Sequence, residues 1–269
     1  LEIIKNIEVW RKKLSLLMVM VMTHNELIML QSLPLDIKIS KTKLRIQEWV
    51  EEFGLDGVYV AYSGGKDSEV LLDICRSLYP NIKAVFSNTG QEFPETIKQV
   101  IMRKKQGYNI DVICPKMKFK DVVEKYGYPV VSKEQSQYIS QYRNAKSEKT
   151  KKLRWEGKNG SWKISEKWKY LANAPFKISD KCCDVLKKEP IKNYNKTTQR
   201  KAIVGVMSSE SIGRKRSYLK TGCNSFNSKN PQSKPLGFWK EEDIWQYIKE
   251  FNLEISEMYT KYGRTRTGS

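Results

Sequence analysis

The chain has 269 residues, enough for one large domain or one domain with a small appendage. Its 49 Lys and Arg against 30 Asp and Glu give a net charge of +19, a field that favours polyanions and small anionic substrates, or equally a solvated lysine-rich surface. The single histidine, His24, argues against a His-centred hydrolase or a His-rich zinc site, and the odd set of five cysteines argues against a disulfide framework and for a reducing, cytoplasmic compartment.

Residues 1–39 read as a helical N-terminal extension whose helical pattern ends near Pro34. Within it Arg11-Lys12-Lys13 precedes an apolar run from Leu14 to Met22. The run is too short to cross a bilayer and no small-x-small cleavage site follows it, so a buried helix is expected and no membrane partner. The chain opens on Leu1, so residues upstream of it are expected. Leu44, Ile46, Trp49, Val50 and Phe53 recur at helical spacing, and Gly54 and Gly57 close that segment. Val58 to Tyr62 is an apolar, β-branched and aromatic strand. It stops at Ser63-Gly64-Gly65-Lys66-Asp67-Ser68, and helical periodicity resumes through Leu78. Such a loop turns backbone N–H groups and a helix N-terminus toward a phosphate. Gly64 and Gly65 permit close approach, Lys66 supplies a positive charge, Ser63 and Ser68 supply hydroxyls, and Asp67 can cap free amides or hold Mg²⁺. The Walker pattern and the dinucleotide Gly-x-Gly-x-x-Gly pattern are both absent.

Ile82 to Ser87 is a second strand, 95–106 a second helix and Ile110 to Ile113 a third strand. Phe119 to Tyr126 is a short helix stopped by Gly127 and Pro129. Strands and helices in this alternation predict right-handed βαβ units and a parallel sheet. From Arg143 to Tyr170 the pattern fails: ten basic residues face three acids, with Trp155, Trp162 and Trp168 interleaved. That insertion either tracks a phosphate backbone and stacks bases or is a flexible segment anchored by its tryptophans. Ala202 to Val206 returns as a strand and Lys240 to Phe251 as a helix.

Three ordered motifs carry a family resemblance over roughly residues 40–268. Ser63–Ser68 resembles the pyrophosphate loop of the adenine nucleotide α-hydrolases, the ATP pyrophosphatase superfamily. Ser87-Asn88-Thr89-Gly90-Gln91-Glu92-Phe93-Pro94-Glu95-Thr96 resembles the Asp-Thr-Gly-x-x-Phe-Pro-Glu-Thr segment of the phosphoadenosine phosphosulfate (PAPS) reductase family. Pro235-Leu236 through Ile248 resembles that family's Pro-Leu-x-x-Trp-x-x-x-Asp-Ile-x-x-Tyr-Ile segment. The resemblance implies an α/β fold with a doubly wound, Rossmann-like parallel sheet, a nucleotide-binding domain over 40–269, and ligand at the C-terminal edge of the strands. It implies that Ser63, Gly64, Gly65, Lys66, Asp67 and Ser68 hold phosphates and that Thr89, Gly90, Glu92 and Gly205 line the nucleotide site. Asn88 stands where the family usually has Asp. Glu210-Ser211 with Arg214 and Arg216 resembles a Glu-Ser-x-x-Arg segment; Arg suits a substrate anion, and the plain alternative is a Glu210–Arg214 surface pair. Within the cysteine-bearing part, 180–269, Cys182, Cys183 and Cys223 match part of the ligand set of an iron–sulfur (4Fe-4S) cluster found in several branches. Arg266-Thr267-Gly268-Ser269 resembles the start of the Arg-Thr-Gly-Cys-x-x-Cys that would complete that set.

Two enzymatic readings and one binding reading follow. In the first, Lys66, Asp67 and Arg214 serve an ATP pyrophosphatase: ATP and Mg²⁺ are bound, a substrate is adenylated, and sulfur is transferred to it from a donor protein, with nucleic acid as a candidate acceptor. In the second, the chain reduces PAPS or APS to sulfite. That chemistry needs the nucleophilic cysteine that the family's reductases carry in a C-terminal Glu-Cys-Gly-x-His segment, and no cysteine follows Cys223 in the sequence given, so this reading ranks second. The third is a non-catalytic nucleotide- or nucleic-acid-binding subunit.

Overall fold

The computed structural model describes residues 22–264, so the expectations for 1–21 and for Arg266–Ser269 fall outside the described residues. In chain order the elements are α1 (His24–Gln31), α2 (Leu35–Phe53), β1 (Val58–Tyr62), α3 (Lys66–Leu78), β2 (Ala84–Ser87), α4 (Pro94–Lys105), β3 (Ile110–Ile113), α5 (Phe119–Tyr126), α6 (Lys133–Asn144), α7 (Glu148–Glu156), α8 (Glu189–Thr198), β4 (Lys201–Val204), α9 (Ile212–Thr221), β5 (Gln232–Ser233), α10 (Glu241–Glu250) and α11 (Glu257–Thr260).

The sheet order is β3-β2-β1-β4-β5. β1 pairs in parallel with β2, Val60 opposite Ala84, and with β4, Val58 opposite Lys201; β4 pairs in parallel with β5. This is the doubly wound α/β architecture that the alternation of strands and helices predicted. The chain steps from β1 outward to β2 and β3, then returns to the other side of β1. The order therefore reverses between β1 and β4, and the crevice beyond their C-terminal ends is where open α/β sheets take ligands. β1 runs through the interior, with Val58, Tyr59, Val60 and Tyr62 buried, as a strand covered on both faces requires.

The chain divides into two compact units. The first comprises residues up to Phe86, Pro94–Asp111, and the chain from Arg200 onward; the second comprises Ser87–Phe93 and Val112–Gln199. The core of the first unit joins Ile46 and Trp49 of α2, Val70, Leu71 and Ile74 of α3, and Trp239 and Ile244 from the C-terminal part. Helix α2 begins at Leu35, well before Leu44, the first of the helically spaced residues that the sequence made visible. Lys38 hid that first turn: it occupies a core-facing position yet is polar. It is 2% exposed, and its Nζ donates to Gln31 O at 2.8 Å and to Asp243 Oδ2 at 2.6 Å. Thr42, also buried, accepts from Trp239 Nε1 at 2.9 Å and donates to Pro235 O at 3.2 Å. These bonds fasten the Pro235–Asp243 segment onto α2 and so fix where α10 starts.

In the second unit, residues 143–170 are ordered rather than patternless. They hold the end of α6, all of α7, a tight hairpin, and the start of a 3₁₀ helix over Glu166–Asn173. Tyr138, Ile139, Ile164 and Ile178 form the centre, with Trp155 and Trp168 packed against it. Trp155 stacks on Tyr142 with ring centroids 4.9 Å apart. The period was invisible because these helices are polar on all but a narrow stripe; α7 buries no residue fully.

Candidate active site

Helix α3 starts at Lys66, and Gly65 caps it without a side-chain hydrogen bond. Gly64 adopts φ 71, and a Cβ there would lie 2.8 Å from Thr96 Cγ2, so the turn accepts glycine alone without a shift of α4. The two serines brace the loop. Ser63 N–H donates to Ser68 Oγ at 3.1 Å, the two hydroxyls are 3.1 Å apart, and Ser68 Oγ donates to Gly65 O at 2.8 Å. Gly205, just past β4, lies against the same turn: a Cβ would come within 3.0 Å of Asp67 O. The loop after β1 and the loop after β4 thus meet at the point where strand order reverses.

Lys66 is 3% exposed. Its Nζ is 3.3 Å from Asp67 Oδ1 and 3.3 Å from Glu241 Oε1, and it sits 5.8 Å and 5.7 Å from the ring centroids of Trp245 and Tyr259. The Lys66 backbone N–H donates to Tyr259 Oη at 3.1 Å. A cation held between two carboxylates and two aromatic faces is a charge oriented before any ligand arrives. Burial pushes the Asp67 carboxyl above its usual range, only partly offset by the Lys66 charge; Glu241 adds to the rise and Arg214 opposes it. Glu241, Trp245 and Tyr259 were missed by sequence reasoning. Glu241 and Trp245 lie inside the quoted Pro235–Ile248 motif, so that motif held the signal; nothing local to Tyr259 pairs it with a lysine 193 residues earlier.

A buried network anchors the helix behind the loop. Glu69 is 1% exposed and accepts from the Tyr62 hydroxyl, from Gln99 Nε2 at 2.9 Å and from Arg103 Nε at 3.2 Å. Arg103 donates onward to Glu254 O at 2.6 Å. Desolvation raises the Glu69 carboxyl, and Arg103 and the hydrogen bonds oppose it. The network ties α3 to α4 and to β1, so the residues of the Ser63–Ser68 loop stand on a fixed base.

Arg214 pairs with Glu210, four residues before it, and its side chain is 45% exposed. Glu210 also accepts from Met207 N at 2.8 Å, so the pair belongs to the turn after β4. Arg216 is exposed. A cavity of about 310 Å³ opens beside this turn, lined by Gln31, Met207, Glu210, Lys240 and Glu241 among others. Glu241 therefore belongs both to the cavity wall and to the Lys66 pair.

Thr89, Gly90 and Glu92 lie in the second unit. There the Glu92 carboxylate accepts from Thr89 N at 3.0 Å, Thr89 Oγ1 at 2.8 Å and Gly90 N at 3.1 Å, and Asn88 Oδ1 accepts from Gly90 N at 2.9 Å. Glu92 is the acceptor that shapes this loop. Asn88, where Asp was expected, serves the same turn.

Cys182 and Cys183 stand in a short helix of the second unit, whereas Cys223 is in the first, its Sγ 3.0 Å from Tyr218 Oη. Burial pushes the thiols of Cys182, Cys223 and Cys75 up. Among the described residues no three His, Cys, Asp or Glu side chains gather to hold a metal ion.

A family model for the phosphoadenosine phosphosulfate reductase domain matches residues 57–157 and 135–265. The chain belongs to this family. Membership marks it, at the level of the family, as a nucleotide-binding domain of sulfur metabolism. It is 22% identical over 222 residues to adenosine 5'-phosphosulfate reductase 2 of Bacillus subtilis, covering 82% of this chain and 74% of that protein. Two uncharacterized proteins of Methanocaldococcus jannaschii are each 25% identical across 76% of this chain, which spans only 34% and 38% of their lengths. The PAPS reductase of Candida auris, solved as a phosphate complex, superposes with a TM-score of 0.52 at 15% identity, covering 92% of this chain and 96% of that one, a likeness of fold. No helix among the described residues is long and apolar enough to cross a membrane.

Proposed function

We propose that this member of the PAPS reductase family is an ATP pyrophosphatase-type enzyme. It binds the triphosphate of ATP on the Ser63–Ser68 loop. A substrate oxygen attacks the α-phosphate, the α–β bond breaks, and pyrophosphate leaves. The adenylated position then accepts sulfur from a donor protein as AMP departs, and nucleic acid is the favoured acceptor given the net charge of +19.

The observation that carries this reading is Lys66. A buried ammonium with carboxylates 3.3 Å away on two sides is positioned for an anion of more than one charge to replace one of them. Glu241, 46% exposed, is the partner that incoming phosphate displaces; Asp67 stays. Lys66 and the amides opening α3 then stabilise the charge that develops on departing pyrophosphate, and the Tyr62–Glu69–Arg103 network keeps them in place. Asp67 and Glu241 are oxygen donors that fit Mg²⁺, which typically takes one or two carboxylates together with substrate phosphates. When bound, Mg²⁺ neutralises phosphate charge. Arg214 shifts from Glu210 to the substrate anion.

The test is ATP labelled at the α-phosphate, incubated with Mg²⁺, with RNA or DNA, and with sulfide as the sulfur donor. AMP and pyrophosphate are the expected products, and Lys66→Ala lowers their rate by about 10²- to 10³-fold, the usual loss of one preorganised donor. Release of ADP and phosphate, or binding of ATP without any cleavage, refutes the proposal; the second outcome is that of a non-catalytic binding subunit.

The Bacillus relative's name favours a second reading, reduction of PAPS or APS. It requires an attacking thiolate, and the described cysteines with shifted thiols all move away from that state. Sulfite release from PAPS with a thiol reductant would install this reading in place of the first.

A further inference from the structure

The second unit carries a feature that the nucleotide site does not use. Helix α7 ends at Gly157, and the chain turns at Asn159-Gly160, with φ 52 and 73. Lys158 and Ser161 exchange both backbone hydrogen bonds, at 2.9 and 3.0 Å. This is the tight primed hairpin for which Asn-Gly is a preferred pair. Immediately after it Trp162 adopts φ 67 and is 59% exposed. A bulky residue in the left-handed region is an outlier that the surrounding structure has to enforce.

It is enforced from three sides. The Trp162 carbonyl accepts from Arg154 Nη1 at 2.9 Å. Two residues on, Ile164 is fully buried, and its N–H donates to Arg154 O at 2.8 Å. A Cβ at Gly157 would lie 2.7 Å from Ser161 O, so the hairpin is packed onto the end of α7 with no slack. The fold thus holds an indole ring outward at a backbone position where glycine would be unstrained.

Its surroundings are cationic. The second unit contains 21 Lys and Arg against 10 Asp and Glu. Lys158 and Lys167 are exposed near Trp162 in sequence, Lys167 Nζ lies 5.2 Å from the Trp168 ring centroid, and Tyr170 is 65% exposed. Trp155, by contrast, is closed off by its Tyr142 stack and by Lys169 at 4.5 Å. Of the three tryptophans in this segment, Trp155 and Trp168 anchor the fold, and Trp162 is presented.

We propose that the Trp162 hairpin is a base-stacking contact for single-stranded nucleic acid, whose phosphates are held by the lysines and arginines of the second unit. An indole face with flexible cations around it takes any unpaired base, whereas a duplex keeps its bases stacked on one another. The residues around the ring, Lys158 to Ser161 and Lys163, are polar, so it lacks the apolar face that a membrane-surface anchor requires. This extends the proposed nucleic-acid acceptor, and it is tested without nucleotide, so its failure leaves ATP cleavage standing and the reverse holds equally.

The experiment is fluorescence anisotropy of the full chain with a labelled single-stranded RNA and DNA, the corresponding duplexes, and, as control, vesicles of mixed phosphatidylserine and phosphatidylcholine. Trp162→Gly is the decisive variant, because glycine is at home at φ 67 and the fold keeps its thermal midpoint. Single strands bind wild type in a salt-dependent manner, Trp162→Gly weakens them about ten- to hundredfold, and Trp162→Phe retains most of the affinity. Equal affinity of Trp162→Gly and wild type overturns the proposal. So does failure to bind single strands at low salt, binding of duplex as tight as single strand, or vesicle binding that Trp162→Gly abolishes.

Discussion

Lys66 in the first unit is 3% exposed and enclosed by side chains from three helices; Trp162 in the second is 59% exposed on a hairpin set by its own neighbours. Both sit beside glycine-dependent turns, Gly64 at φ 71 and Gly157 at φ 85. The difference lies in where the partners come from. Glu241 and Tyr259 reach Lys66 from the far end of the chain, so the first site exists only when the whole sheet and its helices are assembled. The Trp162 hairpin takes its constraints from Arg154, Gly157 and Ile164 and needs only a local core. A site for charge chemistry profits from being buried, since low dielectric strengthens every interaction there, and a site for recognising a polymer has to stay accessible.

If buried charge is what fixes the first site, Glu69→Ala is the harshest test. It leaves the 4%-exposed Arg103 with only the exposed Glu254 carboxylate, 3.6 Å away, and removes the acceptor for Tyr62 and Gln99. Loss of one partner of a buried pair costs about 3–5 kcal/mol. The denaturant midpoint should fall accordingly, and nucleotide binding with it. A loss below about 1 kcal/mol would mean that the apolar packing of α3 holds the loop unaided, and the contrast drawn here would fail.

The two glycines give a finer test. Alanine at either position meets a left-handed backbone and a short contact, and each substitution should cost about 1–3 kcal/mol. The obstacles differ. At Gly64 the added methyl meets Thr96 Cγ2, a side-chain atom 2.8 Å away; at Gly157 it meets the Ser161 carbonyl, a backbone atom 2.7 Å away. Pairing Gly64→Ala with Thr96→Ser should therefore recover part of the lost stability. No side-chain change should recover Gly157→Ala. Thermal melts of both single variants, of Gly64→Ala with Thr96→Ser and of Gly157→Ala with Lys163→Ala decide this, and equal rescue in both units would erase the distinction between long-range and local construction.

The same distinction explains what could be read beforehand. The parallel sheet was legible because β1, β2 and β3 are short apolar runs separated by helical periods, and the loop after β1 is a compact motif. The start of α2 was hidden by Lys38, a lysine at a core position whose charge is met by Asp243, 205 residues away. Strand β5 is two residues long and polar, Gln232–Ser233, and carries no pattern. Residues 143–170 looked irregular because charged faces outnumber apolar ones there. Yet Asn159-Gly160 is a local turn signal, and it marked the one exposed tryptophan in that stretch. Glu92 and the cysteines were legible only through motif position. Motif position assigned them to ligands; in the structure the Glu92 carboxylate accepts from four donors of its own loop, and Cys223 Sγ lies beside Tyr218 Oη.

The smallest expected effect concerns Asp67, and it separates stability from function. Its carboxyl is raised above the ordinary value of 3.8, chiefly by burial, so the folded protein binds that proton more tightly than the unfolded chain does. From 3.8 up to the raised value the folded state carries more protons, and stability falls as pH rises through that window. Above the window the ionised form is a fixed destabilisation. Asp67→Asn removes it, so the thermal midpoint at pH 7 should rise slightly over wild type, and the gap should close as the pH falls toward 3.8. ATP cleavage should drop in the same variant, because the carboxylate beside Lys66 is lost to the phosphates and their cation. A variant that gains stability while losing activity is the behaviour of a charge kept for chemistry. Were Asp67→Asn to lose stability at pH 7, the carboxylate would be a structural partner of Lys66, and Glu241 would be left as the only acid at this site with a role in turnover.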